Sequence, residues 1–479
     1  MADQPILDAR TARILPWVVA VAFFMQMLDG TILNTALPTM ARDLDANPLQ
    51  MQSVVIAYML TVAVIIPASG WLADKFGIRQ IFLFAIGLFT LGSLACGLSP
   101  TLEIIVACRV MQGVGGALMV PVGRLSVLRA YPREQLVTIM SFITIPGLIG
   151  PLIGPTLGGF LVQYASWHWI FFINIPVGFL GIVATLKYMP YLPRGGELYP
   201  FDKTGFMLFA TFMLAVTLGL EGIGELHLAY LPMILLIIFG LASLAGYVFY
   251  ARASARPLFS PELFSVRNFA VGILGNLFAR LGNGAMPFLT PLLLQVGLGY
   301  SPMHAGLSMI PMTVGALIAK SVATPLVRRF GYRTILAVNT LSLGAMIALF
   351  SVIGRDTNYW LMLLIFSVFG VINSMQFTAM NTVTLVDLSD RQASSGNSLL
   401  SVIMQLSMSM GIAIAAAILG GFTGNGALTQ GQDVIGAFAK TYLCLGFLAA
   451  ISTVIFIQVN PDSGKVPHEK PHDPVAPEH

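Results

Sequence analysis

The sequence predicts an all-α polytopic membrane protein with fourteen transmembrane helices. Of its 479 residues, 56% are hydrophobic and 10% are charged, whereas a soluble domain carries roughly 25% charged residues. Fourteen apolar stretches approach or exceed the about 20 residues that cross the hydrocarbon core of a bilayer. Glycine (47 residues) and proline (28 residues) are abundant, which is typical of membrane helices because neighbouring helices bond the freed backbone groups.

The predicted spans follow one another from residue 14 to residue 459. Residues 1–13 are polar, and the apolar stretch after them exceeds the about 7–15 residues of a signal peptide and lacks a small-residue cleavage site. We therefore expect this stretch to be a retained first helix. The spans are 14–38, 51–72, 80–99, 101–128, 136–163, 169–189, 204–221, 229–251, 268–295, 303–326, 333–353, 359–386, 396–422 and 437–459.

Basic residues are distributed unevenly between the two sides of the membrane. Because cytoplasmic loops carry an excess of Lys and Arg, the distribution predicts a protein of the inner (cytoplasmic) membrane with both termini in the cytoplasm. The outer loops hold only Arg42, Arg355 and Lys440. The cytoplasmic segments hold Arg10, Arg13, Lys75, Arg79, Arg129, Arg133, Arg194, Lys203, Arg252, Arg256, Arg267, Arg328, Arg329, Arg333, Arg391, Lys465 and Lys470.

Two short turns indicate an internal repeat. Residues 76–79 (FGIR) follow the second predicted helix, and residues 330–333 (FGYR) follow the tenth, the same place in a six-helix unit. Two such units around a central cavity form the architecture in which one half rocks against the other. We predict a cytoplasmic N-terminus (1–13), a first six-helix bundle (14–190), an inserted pair with its linkers (191–267), a second bundle (268–459) and a disordered cytoplasmic tail (460–479).

The segment 70–79 (GWLADKFGIR) resembles the loop signature between helices two and three of the major facilitator superfamily. Gly70 and Gly77 permit a tight turn and a close approach of helices. Asp74 is able to accept charge-assisted bonds from basic groups, and with Arg79 it would form a gate that latches the cytoplasmic side shut. The alternative is a solvated turn at the membrane surface. The second half has no acidic residue at the corresponding position.

The segment 147–159 (GLIGPLIGPTLGG) in the fifth helix resembles the antiporter motif of the same superfamily. Small residues three and four apart make a smooth helix face, and prolines loosen the backbone. A role in packing alone remains the alternative. The related stretch 410–416 lacks the prolines, so the fifth helix is the specialised copy. The motif residues are Gly147, Gly150, Pro151, Gly154, Gly158 and Gly159.

Further segments resemble the fourteen-helix drug:proton antiporter family: 28–38 (LDGTILNTALP), 109–113 (RVMQG), 167–176 (WHWIFFINIP) and 201–205 (FDKTG). The family more often has arginine at position 168, and the histidine there is similar to one subgroup, the MdtD-type multidrug resistance proteins. The resemblance covers the chain to about residue 460. It implies the major facilitator fold and proton-coupled export of small organic molecules or drugs, and it places Asn34 and Gln112 at the substrate cavity.

Charged residues at bilayer depth are expensive and are functional hypotheses by default. Asp29 and Arg109 are each roughly 12–14 Å below the outer surface at about 1.5 Å per residue, so we expect them to share one aqueous cavity and to couple transport to protons. A static structural ion pair is the alternative. Glu221, at the end of the seventh helix, is a further proton-coupling residue or an exposed interfacial one.

The second half contains buried bases. Arg280 is expected near the midplane and Lys320 closer to the cytoplasmic end, where its stem reaches toward the headgroups. With Arg109 they outnumber the securely buried acid, Asp29. This excess favours an anionic substrate in the cavity, and bridging between helices is the other reading.

The residues thus predict a secondary active exporter that works by alternating access. The alternatives are an exporter of organic anions such as citrate-like metal chelates, and a transporter-like sensor. GxSxG and GxxxxGK[ST] motifs are absent from the sequence, and its one HExxH match, residues 468–472 (HEKPH), lies in the tail that is predicted to be disordered. This disfavours an enzyme and an ATP-driven pump. We expect a monomer in membrane lipid with a small-molecule substrate and protons as partners, and no nucleic acid, cofactor or metal. Cys96, Cys108 and Cys444 are expected to be buried free thiols.

Overall fold

The computed structural model describes residues 8–192, 200–224, 230–423 and 434–461. The described parts of the chain are helical and contain no β-strand. Helices are the expected solution for an apolar chain, because a lipid-exposed backbone must satisfy its own hydrogen bonds. The all-α prediction is confirmed.

Within these described residues, thirteen helices are long and apolar enough to cross a membrane by length and composition. With the broken helix α9 described below, they account for the fourteen predicted spans. Their bounds are α1 Arg10–Thr35, α2 Gln52–Phe76, α3 Ile78–Gly97, α4 Leu102–Ala130, α5 Thr138–Tyr164, α6 Trp169–Tyr188, α7 Lys203–Gly222, α8 Tyr230–Ala253, α10 Pro302–Ala323, α11 Arg329–Val352, α12 Tyr359–Leu385, α13 Gln392–Phe422 and α14 Val434–Phe456.

The ninth span is a broken helix, α9. Its first part, Arg267–Asn283, has 17 residues. After Gly284 the chain continues as the helix Met286–Leu292 and a π-helical turn, Leu293–Gly297. A hydropathy pattern does not reveal such breaks, because it averages side-chain polarity over the span and does not record how the backbone is hydrogen-bonded.

Two helix boundaries differ from the predicted ones. The first helix begins at Ala9 rather than at residue 14, so Arg10 and Arg13 belong to its first turns. Near the start of α11 the chain is helical on both sides of Gly331, whose φ of 75° makes the reversal. Apolarity predicts only the membrane-crossing part of a helix. Polar turns that extend the helix beyond the membrane are identified only from the backbone of the structure.

We call the end of the bundle where α1 begins and α14 ends the terminal face, and the opposite end the distal face. One apolar cluster near the distal face contains residues of both halves, among them Ile32, Val54, Phe288, Phe366 and Leu419. Close van der Waals packing across this shared surface holds the halves together at the distal face.

The apolar packing is different toward the terminal face. Phe82 and Val122 belong to a cluster built from the first six helices alone. Leu336 and Val383 belong to another, built from the last six helices alone. Each half therefore has a core of its own toward the terminal face, and a further cluster that α2 and α13 share with the inserted pair joins the halves.

The inserted pair α7 and α8 packs beside the junction of the halves. Met213 of α7 shares an apolar cluster with Leu60 of α2 and Ile403 of α13. Asp202 ties the pair to the linker before α9: its Oδ1 accepts from the Tyr250 hydroxyl at 2.7 Å, and its Oδ2 accepts from the Leu258 N–H at 2.8 Å.

The cysteines are free thiols, as predicted, but they are not uniformly buried. Cys96 is buried, Cys108 is partly buried and Cys444 is exposed. The prediction of burial was wrong for Cys444 because an apolar position in a membrane helix also fits the lipid-facing side, which periodicity in a uniformly apolar stretch does not distinguish.

Candidate functional site

The buried ion pair of the first half joins α1 and α4. Arg109 Nη1 lies 2.6 Å from Asp29 Oδ2, and both side chains are 1% exposed. Arg109 Nε donates to the Val54 carbonyl at 3.2 Å, and its guanidinium lies 4.2 Å from the centroid of the Tyr58 ring. The structure thus brings two predicted residues together and holds the cation with contacts from α2. A desolvated charge needs this many partners, since either member alone would be strongly unfavourable.

Amide and hydroxyl groups complete the network around Asp29. Gln112 Nε2 donates to Asp29 Oδ1 at 2.8 Å and to Ser93 Oγ at 2.7 Å. Asn174 Nδ2 donates to the same Asp29 oxygen at 3.1 Å. Arg109 Nη1 also donates to Gln112 Oε1 at 2.7 Å. Both oxygens of the Asp29 carboxylate therefore accept hydrogen bonds, Oδ2 from Arg109 and Oδ1 from Gln112 and Asn174.

Ser93 and Asn174 were missed as site residues. Asn174 lies within the quoted segment 167–176, and Ser93 is a single hydroxyl in an apolar helix. The available signal was the cost of leaving a polar side chain unbonded in a membrane helix. That signal says that a partner is needed but does not name it.

Helix α1 changes its backbone geometry just beyond Asp29. Leu33–Thr35 form a 3₁₀ turn, and the Thr39 N–H donates to the Ala36 carbonyl at 3.0 Å. Gln295, in the π-helical turn of α9, donates from Nε2 to the Thr35 carbonyl at 2.8 Å. Both irregular turns therefore meet in one buried hydrogen bond between the halves. Asn34, predicted at the cavity, is buried in this 3₁₀ turn, 5% exposed.

The glycines of the antiporter-like segment form the contact of α5 with α1. A Cβ added to Gly150 would lie 2.8 Å from the Leu28 nitrogen, and one added to Gly154 would lie 2.2 Å from Thr31 Oγ1. At Gly158 it would lie 2.4 Å from the Ile32 carbonyl oxygen, whereas at Gly147 the nearest atom is 3.8 Å away. The stripe thus packs helix against helix along the segment that carries Asp29.

The distal end of this segment also contacts the second half. A Cβ on Gly159 would lie 2.3 Å from the Pro302 carbonyl oxygen, and one on Gly306 would lie 2.5 Å from the Pro155 carbonyl oxygen. Pro151 and Pro155 lie inside a continuous helix, Arg133–Tyr164. Helix α5 is therefore placed between α1 and α10, in backbone-level contact with both.

Asp74 pairs with a base of its own half. Its Oδ1 lies 2.5 Å from Nη2 of Arg129 at the end of α4. This contact joins α2 to α4, so in this conformation it stabilises the first bundle and does not cross to the second. Gly77 makes the expected turn with a φ of 97°. Gly70 does not serve a close approach, since an added Cβ would have no neighbour within 4 Å.

The second half buries a cation, Arg280, in its first helix α9. Arg280 in α9 is 6% exposed. Its Nε donates to Asn276 Oδ1 at 3.2 Å, its guanidinium lies 4.8 Å from the Phe377 ring centroid, and its Nη2 has no hydrogen-bond partner among the described residues. A Cβ on Gly411 would lie 2.8 Å from the Arg280 carbonyl oxygen, which parallels the contact of Gly150 with α1.

Two predicted site residues stay apart from these groups. Glu221 is partly buried near the end of α7 and has an interaction partner. The side chain of Lys320 lies outside the described residues.

The histidine of the 167–176 segment belongs to a distal-face cluster. Its ring stacks on Trp167 with 3.7 Å between centroids, and Trp167 Nε1 donates to Asp43 Oδ2 at 2.9 Å. Burial lowers the pKa of His168, and the Asp43 carboxylate opposes that shift. His168 is therefore mostly neutral near pH 7, and its role in this structure is to stack on Trp167.

A family model for the Major Facilitator Superfamily matches residues 19–412. The chain belongs to the major facilitator superfamily. It is a membrane transporter rather than an enzyme. A protein of Serratia proteamaculans (strain 568) that bears the name multidrug resistance protein MdtD is 50% identical over 447 residues, 93% of each chain. A protein of the same name from Escherichia coli O157:H7 is 49% identical over 93% of this chain and 94% of its own.

Solved structures of other transporters share the major facilitator fold with this chain. A bacterial homologue of the human lysosomal transporter Spinster, inward-facing and unoccupied, aligns with a TM-score of 0.66 at 14% identity over 94% of this chain and 97% of its own. A POT family transporter in complex with 5-aminolevulinic acid aligns with a TM-score of 0.69 at 15% identity over 93% and 95% of the two chains. At these identities the likeness concerns the fold alone.

Proposed function

We propose that the protein is a proton-coupled exporter of small organic molecules in the inner membrane. The observation that carries the proposal is the buried pair of Asp29 and Arg109, the pair that the sequence predicts at one depth of the cavity. A carboxylate paired in one conformation and hydrated in another has a different proton affinity in each, which links proton entry to substrate exit. The names of the relatives, which refer to multidrug resistance, support efflux.

The mechanism follows from where the halves meet. Asp29 is on α1, which contacts the glycine stripe of α5, and α5 contacts α10 of the second half. Movement of α10 against α5 is thereby transmitted to α1. In our proposal, opening the distal face separates Asp29 from Arg109, and the Asp29 carboxylate takes up a proton. When the distal face closes again, the proton is released to the cytoplasmic side.

Orientation is part of the proposal, with the terminal face in the cytoplasm. Single cysteines at Asn47 and Asn358, near the distal face, should react with an impermeant thiol reagent added to intact cells, and cysteines at Ser254 and Ser389 should not. Reaction at either of the latter positions from outside would contradict the orientation.

The decisive experiment is flux in proteoliposomes that contain the purified protein. An imposed pH gradient should drive accumulation of a fluorescent substrate, and collapse of the gradient with a protonophore should abolish it. Binding of substrate without any gradient-driven flux would instead favour the transporter-like sensor.

A second candidate is export of organic anions, and the lone Arg280 guanidinium favours it. A buried cation whose Nη2 lacks a partner among the described residues would be neutralised by a carboxylate of the substrate. Competition for transport by matched anionic and cationic compounds decides between the candidates. Stronger competition by the cations would leave ordinary multidrug export.

A further inference from the structure

Two cavities at the terminal face occupy equivalent places in the two halves. The first, about 160 Å³, lies between the start of α3 and the chain just after α6, and its lining includes Phe76, Arg79, Gln80, Tyr191 and Leu192. The second, about 350 Å³, lies between the start of α11 and the end of α14. Helices α3 and α11 are each the third of their bundle, and α6 and α14 are each the sixth.

The second cavity contains the arginine that matches Arg79 in the repeated turn. Its lining comprises Arg333, Thr334, Ala337, Ile457 and Pro461. The turns FGIR and FGYR thus place one arginine into each cavity. Both turns contain a glycine with positive φ, 97° at Gly77 and 75° at Gly331, so the chain reverses in the same way before each arginine.

Each arginine has capacity left for an anion. Arg79 donates from Nη2 to the Leu186 carbonyl, but its buried Nε has no partner among the described residues. Neither Arg79 nor Arg333 is paired with a described carboxylate. A second base is close in sequence or contact to each arginine's surroundings: Lys187 follows Leu186, whose carbonyl accepts from Arg79, and Arg267 Nε donates at 3.0 Å to the carbonyl of Gln458, the residue after Ile457.

The surroundings of the cavities are those of a membrane surface. Tyr191 is 72% exposed and Ile457 is 46% exposed. The Arg79 guanidinium lies 4.4 Å from the centroid of the Tyr191 ring. Aromatic rings at the headgroup level, an apolar rim and an arginine in a basic pocket between helices together suit a phospholipid whose chains cover the rim and whose phosphate meets the guanidinium.

We propose that these two cavities are a repeat-related pair of binding sites for anionic phospholipid, each holding the headgroup phosphate on the arginine of its FGxR turn. The proposal is independent of substrate and proton coupling. It assigns a function to the FGYR turn of the second half, which lacks the acidic residue that the first half has beside its FGIR turn.

The test is native mass spectrometry of the full chain in detergent with added phosphatidylglycerol or phosphatidylcholine. Wild type should retain two phosphatidylglycerol molecules about tenfold or more tightly than phosphatidylcholine. Arg79→Gln and Arg333→Gln should each lose one and the double variant both, whereas Arg355→Gln, the same charge change in a loop at the distal face, should lose neither. Equal retention of both lipids, or equal behaviour of all three single variants, would overturn the proposal.

Two further arms separate a built site from general attraction. Thr334→Phe fills the second cavity and keeps Arg333, so it should lose one bound phosphatidylglycerol even if an arginine variant fails to fold. Unchanged binding in this variant would contradict a site in the cavity. Displacement of the lipid by millimolar inorganic phosphate would assign the pair to free phosphate and would also overturn the lipid proposal.

Discussion

Arg109 Nη1 and Asp29 Oδ2 are 2.6 Å apart between α4 and α1, and both side chains are 1% exposed. The two residues are separated by 80 positions in the sequence. Because the pair is buried and the carboxylate also accepts from Gln112 and Asn174, we expect proton uptake by Asp29 to require a movement of the helices. The predictions below test this relationship and the contacts that control it.

Asp29→Asn should abolish transport driven by a pH gradient, because an amide neither takes up nor releases a proton at physiological pH. Exchange of substrate for substrate without a gradient should persist. The measurement is flux in proteoliposomes across a range of pH, with the exposed loop variant Asp356→Asn as the control that retains driven transport. Gradient-driven export by Asp29→Asn with unchanged pH dependence would show that the protonation site is not Asp29. Glu221 is then the next residue to test.

Arg109→Gln should lower thermal stability, because it leaves the Asp29 carboxylate buried without its cation. Breaking one side of a buried pair costs about 3–5 kcal/mol. The double variant Arg109→Gln/Asp29→Asn should lose less than the sum of the single variants, since the residual amides are able to bond each other. Thermal unfolding of the four proteins in detergent gives the double-mutant cycle. Strict additivity of the changes in unfolding free energy would show that the two residues are not coupled.

Gly150→Ala should destabilise the protein by about 1–3 kcal/mol, the usual cost of overpacking. The added Cβ would lie 2.8 Å from a backbone nitrogen of α1, which has no flexible side chain to move aside. Gly87→Ala in α3 is the matched control, because its Cβ would meet no atom within 4 Å. The control should be neutral or stabilising by up to about 1 kcal/mol, the helix-propensity gain. Equal melting temperatures for the two variants would refute the tight contact of α5 with α1.

Gln295→Leu should favour opening of the distal face. It leaves the Thr35 carbonyl without the donor that reaches it from α9, a loss of about 1–3 kcal/mol that applies only to the closed state. The reporter is a cysteine at the fully buried Ala305 in a chain without native cysteines. Its labelling from the distal side should become roughly tenfold faster.

The control for this gate is Gln163→Leu, which removes an exposed contact between the halves, the acceptor of the Met303 N–H at 3.2 Å. Labelling of Ala305→Cys should be nearly unchanged in it. If both leucine variants accelerate labelling alike, the buried bond has no special part in closure.

Arg280→Gln should weaken recognition of anionic substrates far more than that of neutral ones, by about ten- to a hundredfold, the worth of a charge-assisted bond. Lys320→Gln should act in the same direction but less, because a lysine reaches the headgroups. Competitive inhibition of transport with matched compounds is the measurement. Loss of expression or stability without any change in selectivity would make the two bases structural.

The sequence alone determined the class of the protein and the approximate position of each span. An apolar stretch of membrane length has one stable solution in lipid, so its approximate position and its helical state follow from local composition. The chemistry of the candidate site was also local: Asp29 and Arg109 stood out because a charge at bilayer depth is costly whatever its neighbours are. Counting residues from the membrane surface then sufficed to place them at one depth.

The tertiary structure decided which residues become hydrogen-bond and ion-pair partners. Helix packing in lipid depends on how well the surfaces of helices distant in sequence fit each other. Ser93 and Asn174 complete the Asp29 network from α3 and α6, and Asp74 takes Arg129 of its own half. The break in α9 that aims Gln295 at Thr35 is a change in backbone hydrogen bonding, which the hydropathy of the span does not record. A sequence states which groups need partners, and only the packed helices state which partners they find.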